Sequence, residues 1–171
     1  LGIHPGFLTS ATGPIMFGLD GMNQAAYAAG QPIPNIIGMA FSYSMTIAVL
    51  YPAFALAVLI FSKSNQLKTV GKISIAPAFF GISEPLMFGV PVVMNPFMAI
   101  PWIISPTVNV LLGWLACSSG LVARYAGVTV FNFPMGVTGI LNGSFTIAIL
   151  EVVVCIIDVL IFMPFVRIQD K

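Results

Sequence analysis

The sequence predicts an all-α integral membrane protein, a polytopic helical bundle interrupted by Pro-broken, re-entrant hairpins. Three observations carry this. Only 6% of the 171 residues are charged and 58% are hydrophobic, whereas a soluble domain carries about 25% charged residues. No charged residue lies between Asp20 and Lys63, and none between Glu84 and Arg124; such runs exceed the ~20 apolar residues that cross a bilayer as a helix. Prolines crowd into two of the apolar stretches, where backbone stays irregular only if protein buries it or it lines a wet cavity.

Residues 36–61 form the first expected span, long enough to cross with tilt and kinked at Pro52. Residues 105–123 and 144–166 form the second and third. The last is followed by Arg167 and Lys171 at the water boundary. The broken stretches are residues 1–34, with Pro5, Pro14, Pro32 and Pro34, and residues 73–101, with Pro77, Pro85, Pro91, Pro96 and Pro101. Each proline removes a helical hydrogen bond and crowds the preceding turn. Interrupted apolar segments point to a binding site near the bilayer midplane.

Charge sets the expected topology. Lys63, Lys68 and Lys72 form one basic loop, and Arg167 and Lys171 form a basic tail. The positive-inside rule places both in the cytoplasm. An even number of crossings must join them, and residues 105–123 and 144–166 supply two. Residues 73–101 are then expected to enter and leave on the same side.

Few residues in the chain can carry chemistry. Glu84 precedes Pro85 within the second broken stretch, so a helix is expected to end there. A carboxylate within the membrane is costly and marks function by default; the plainer alternative is a Glu wetted at a hairpin end. His4, the single histidine, precedes Pro5 in the same way and is either a ligand-binding group or a satisfied core residue. Glu151 and Asp158 are seven apart on one helical face, with Cys155 between them. They either line a pathway or serve packing partners such as Arg124. Asn95, Asn109, Asn132 and Asn142 read first as caps or helix glue. Trp102 and Trp114 read as interfacial anchors.

Several function classes are excluded. There is no basic cluster with interleaved aromatics for nucleic acid. No phosphate loop, catalytic Ser/His/Asp set or metal-ligand spacing occurs, so no cofactor and no metal are expected. The two cysteines, Cys117 and Cys155, lie in apolar runs and read as small buried hydrophobes.

One block is specific enough to carry a resemblance. Residues 83–96 read Ser-Glu-Pro-Leu-Met-Phe-Gly-Val-Pro-Val-Val-Met-Asn-Pro. This resembles the Asn-Glu-Pro signature, and the Phe-Gly-x-Pro-x-x-x-Asn-Pro run behind it, of enzyme IIC in the lactose/cellobiose/diacetylchitobiose family. These are permeases of the phosphoenolpyruvate-dependent sugar phosphotransferase system (PTS). The basic loop at residues 61–72, the Pro-Phe…Asp-Lys ending at residues 164–171 and Gly2-Ile3-His4 are similar to the same family. Three places differ. Gly81 and Ser83 stand where the family has Asn-x-Asn, Pro5 stands where it has Gly, and Val130-Phe131-Asn132-Phe133-Pro134 stands for its Pro-Trp-Thr-x-Pro.

The resemblance implies that residues 1–171 are the C-terminal, sugar-binding portion of a multi-pass permease in a bacterial cell membrane, with the N-terminal part outside this sequence. It implies a sugar substrate, such as cellobiose, lactose or diacetylchitobiose, a phosphorylated IIB component as partner, and a homodimer in the full-length protein. Glu84 and His4 take the positions of the sugar-contacting Glu and His, with Asn95 as a further binding residue and Glu84 as candidate base or orienter. No residue of this chain is expected to carry the phosphoryl group. The rival readings are a degenerate permease acting as a membrane scaffold, and an ion-coupled transporter using Glu151 and Asp158.

Overall fold

The computed structural model describes residues 6–170, and every regular element among them is helical. His4 and Lys171 lie outside the described residues. The order is α1 (Gly6–Ala28), α2 (Met39–Tyr43), a π turn (Ser44–Ala48), α3 (Val49–Phe61), α4 (Asn65–Phe79), α5 (Glu84–Gly89), α6 (Pro96–Ser118), α7 (Val137–Leu141) and α8 (Phe145–Gln169).

Among the described residues, three helical runs are long and apolar enough to cross a membrane: Met39–Phe61, Pro96–Ser118 and Phe145–Gln169. The first is the central rod and is the most buried of the three. Its expected irregularity at Pro52 takes the form of the π turn one helical turn earlier. Pro52 has no N–H to offer the preceding turn, and a single widened turn is a common local response.

The side-chain pattern of α8 is inverted relative to a water-soluble helix. Ile149, Val152, Val153, Ile156 and Leu160 face outward, while Glu151 and Asp158 are fully buried. A helix in water hides its apolar stripe; one in lipid turns its polar groups inward, because hydrocarbon offers them no partner. The same logic leaves Ile103, Ile104, Leu111 and Leu115 of α6 exposed.

Both ends of the bundle are marked by contacts. At the basic end, the Lys63 and Ser64 backbone N–H groups donate to the Asp170 carboxylate, and the Arg167 guanidinium lies over the Phe61 ring, 5.1 Å from its centre. Here the Gln169 amide also donates to the Pro91 carbonyl at 3.1 Å. The start of α4 and the chain just after α5 therefore lie at the same end as the C-terminus of α8. The charge argument gave this path to residues 73–101; the hairpin instead occupies residues 64–91, which leave the basic end, turn at Gly81 and return, while residues 96–101 already belong to α6.

The opposite end is a polar lattice. Asp20 of α1 accepts from the Ala40 N–H and the Thr129 hydroxyl. Asn23 donates to the carbonyls of Asn35 and Tyr125. Arg124 donates to the carbonyls of Ile33 and Pro34, both at 2.8 Å. Asn142 accepts from the N–H groups of Gly127 and Val128 and donates to the Val128 carbonyl. This lattice holds a second, outer hairpin, residues 121–144, which dips toward the first and returns through α7.

Two sequence expectations are corrected here. Of the expected broken stretch at residues 1–34, residues 6–28 form one helix: α1 runs through Pro14, and Pro32 and Pro34 lie beyond its end. One proline deletes a single hydrogen bond, and the remaining turns carry the helix. The second span begins at Pro96 rather than at residue 105 and contains Pro101 and Pro106. Pro96 occupies the first helical turn, whose N–H groups lack helical partners anyway.

Candidate functional site

The two hairpins meet tip to tip beside the π turn. At the inner tip Gly81 takes φ +75°, a left-handed conformation that favours glycine, and a Cβ there would stand 2.8 Å from the Tyr43 hydroxyl. At the outer tip Asn132 takes φ 58°, and its backbone N–H donates to the Tyr43 hydroxyl at 2.9 Å. Phe131 meets the Tyr43 ring edge-on, 5.1 Å between centres. Tyr43 therefore touches both tips.

Beneath this junction lies a groove of about 690 Å³, within the range of small-molecule sites. Its lining includes Tyr43, Tyr51, Glu84, Phe88, Trp102 and Asn132. Glu84 is the first residue of α5, after a turn at residues 80–83. The sequence reading ends a helix at Glu84; the structure starts one there. Pro85 explains the reversal, because proline is tolerated in the first turn of a helix, and α4 has already ended at Phe79.

The Glu84 side chain is exposed to the groove. Trp102 packs against Tyr51, Phe54 and Phe162, and its buried indole N–H has no hydrogen-bond partner. The wall thus offers a carboxylate acceptor, tyrosine hydroxyls and ring faces. Hydroxyl groups on a compact apolar-faced ligand need those functions.

The other sequence candidates separate. Asn95 lies outside the groove lining: its oxygen caps α6 by accepting from the Phe97 and Met98 N–H groups, and its amide donates to the Pro91 carbonyl. Glu151 and Asp158 do not line the groove either. Glu151 accepts from the Ser44 and Thr138 hydroxyls at 2.5 Å each and from the Gly136 N–H at 2.6 Å, and Ser44 in turn meets the Tyr125 hydroxyl at 2.8 Å. Asp158 accepts from the Asn109 amide at 2.7 Å. Neither pairs with Arg124, which holds backbone carbonyls instead. Sequence reasoning missed Tyr43 and Tyr51, which read as ordinary residues of an apolar span. No local signal marks the π turn that helps bring Tyr43 to the junction.

Fold and groove together define a polytopic integral membrane protein with a largely aromatic and apolar pocket held between hairpins from opposite ends. The chain belongs to the family described as "Phosphotransferase system, EIIC", whose profile matches residues 1–106. It is 36% identical over 170 residues to the oligo-beta-mannoside-specific EIIC component of the PTS from Bacillus subtilis, covering 96% of this chain and 38% of that protein. It is 32% identical over 177 residues to the lactose-specific EIICB component from Lacticaseibacillus casei, covering 98% of this chain and 30% of that protein. The fold matches the crystal structure of the transporter ChbC, the IIC component of the N,N'-diacetylchitobiose-specific phosphotransferase system. The TM-score is 0.89 at 35% identity, over 95% of this chain and 39% of that one. The chain thus spans about two fifths or less of the length of these relatives.

Proposed function

We propose that this chain supplies the sugar-binding part of a PTS permease, which moves a short β-linked sugar across the membrane and presents it for phosphorylation by a IIB component. The observation that carries this reading is the position of Glu84. It stands at the start of α5, without a capping hydrogen bond from Ser83, in a groove lined by aromatic rings. A carboxylate held at such a place accepts hydrogen bonds from sugar hydroxyls. The relatives named for oligo-beta-mannoside, lactose and diacetylchitobiose support the substrate class. The lactose relative's EIICB name supports a IIB partner, and a homodimer of the full-length permease belongs to the same reading.

In this reading Glu84 orients one hydroxyl and takes up its proton, while Trp102 and the two tyrosines hold the rings. Asn95 braces the wall by starting α6. The family resemblance adds His4 as a further contact to the sugar. Phosphoryl transfer depends mainly on placing the acceptor, so the binding residues also govern turnover.

The test is Glu84→Gln in the full-length permease. Calorimetry with cellobiose, lactose and diacetylchitobiose reads affinity, and phosphorylation with purified phospho-IIB reads turnover. Loss of one charge-assisted contact, about 1.5–3 kcal/mol, weakens affinity by roughly tenfold to a hundredfold. If Glu84 is also the base, turnover at saturating sugar falls by about 10²–10⁴. Unchanged affinity and unchanged turnover would remove Glu84 from the site.

A further inference from the structure

The basic end carries a cavity of about 470 Å³, separate from the groove. It lies where two spanning runs stop. Ile60 and Phe61 close α3 and form its apolar side. Ser62 and Lys63 follow them, and Arg167, in the last turn of α8, and Asp170, just beyond it, complete the lining.

The lining grades from apolar to cationic. Ile60 is exposed at the end of a spanning run, an apolar surface at the depth where acyl chains begin. Lys63 and Arg167 are exposed beyond it. The Arg167 guanidinium lies over the Phe61 ring, a stacking contact that holds its plane and leaves N–H groups for an oxygen ligand. Asp170 is the acidic group of the lining. It attracts the Lys63 charge, but its carboxylate is taken up by the Lys63 and Ser64 backbone N–H groups. Two cations against one occupied carboxylate leave the cavity with a positive excess.

The membrane surface on the basic side supplies a species of matching shape. An anionic phospholipid puts phosphate at the headgroup level and hydrocarbon directly beneath it. Guanidinium and ammonium groups both bind phosphate, the first through paired N–H groups. A free phosphate ion would use the two cations and leave the Ile60 side unused, so the apolar side favours the lipid as the source.

We infer that this cavity holds the phosphate of one anionic phospholipid, with Lys63 and Arg167 as its ligands and Ile60 against the first carbons of an acyl chain. The bound lipid joins the end of α3 to the end of α8 beside the Asp170 contact. The inference is independent of the sugar reading, since none of these residues lines the groove.

The test is native mass spectrometry of the full-length permease in mild detergent, with added phosphatidylglycerol or phosphatidylcholine. Wild type should retain phosphatidylglycerol in preference to phosphatidylcholine, and inorganic phosphate should not displace it. Lys63→Gln combined with Arg167→Gln should weaken retention by roughly tenfold or more. Lys68→Gln combined with Lys72→Gln removes the same charge from residues outside the cavity lining and should retain the lipid. Equal retention of the two lipids by wild type would overturn the inference, as would equal loss in both double variants, which would mean diffuse attraction without a site. Displacement by inorganic phosphate would overturn the lipid as occupant. So would weaker binding of phospho-IIB in the Lys63/Arg167 double variant with no lipid retained by wild type, since that would make the surface a protein dock.

Discussion

The Tyr43 hydroxyl accepts a hydrogen bond from the Asn132 backbone N–H at 2.9 Å, and so ties the central rod to the tip of the outer hairpin. The same oxygen stands 2.8 Å from the place a Cβ would occupy on Gly81. One hydroxyl therefore fixes how closely the two tips approach and sets the roof of the groove.

Gly81→Ala should destabilise the protein by about 1–3 kcal/mol, from the left-handed backbone and the contact with Tyr43. Adding Tyr43→Phe relieves the contact but not the backbone strain, so the double variant should recover only part of the loss. Thermal unfolding in detergent reads both. Full recovery in the double variant would show that backbone conformation contributes nothing.

Glu151 anchors the outer hairpin through Ser44, Thr138 and Gly136. Glu151→Leu leaves those donors buried without an acceptor and should cost about 3 kcal/mol or more, since each stranded group costs about 1–3 kcal/mol. Glu151→Gln keeps one oxygen and should cost less. Because Ser44 adjoins Tyr43, and Gly136 follows the tip, sugar affinity should weaken in both variants. Wild-type stability in Glu151→Leu would refute the anchoring role.

Asp170 closes the basic end. The Lys63 backbone N–H, then the Ser64 hydroxyl and N–H and the Lys63 charge, hold its carboxyl below the usual aspartate range. A folded-state value below the unfolded one means that the stabilisation is present above the unfolded value. It is lost as pH falls through the folded value. Amide exchange at Lys63 and Ser64, corrected for intrinsic rate, should lose protection under acid conditions and in Asp170→Asn. Protection that ignores both changes would show that the latch does not hold.

Orientation follows from the basic end. Single cysteines at Ser64 and Gln169 should resist an impermeant thiol reagent added to intact cells, and one at Ser119, at the opposite end, should react. Reaction at Ser64→Cys from outside would invert the topology.

The membrane class and the three spans in outline were legible in the sequence, as was a re-entrant path beside the basic loop, though for residues 73–101 rather than 64–91. Charge spacing and apolar length are local properties, and Lys63, Lys68, Lys72 and Arg167 report them directly. The start of α6 was not legible, because Pro101 and Pro106 look like breaks until Asn95 is seen capping the helix and Pro96 filling its first turn. The outer hairpin was missed for a different reason. Residues 121–144 carry one charge, Arg124, and their path depends on bonds from Asp20 and Asn23, which are distant in sequence. Glu84 was found because a lone carboxylate in an apolar stretch is conspicuous. Tyr43 was not, because its role comes from two chain reversals arriving beside it.

The two hairpins are fastened by different kinds of force. Beyond the hydrogen bonds at its base, the inner one rests on Phe54, Val58, Leu86, Val90, Met98 and Phe162, surfaces that attract without regard to angle. The outer one hangs on aligned donors and acceptors at Asp20, Asn23, Arg124 and Asn142. Greasy faces can slip by a fraction of a side chain at small cost, whereas a directional bond must break before its owner moves. The wall of the groove that bears Glu84 is thus the compliant jaw of a vice, and the wall that bears Asn132 is the fixed one.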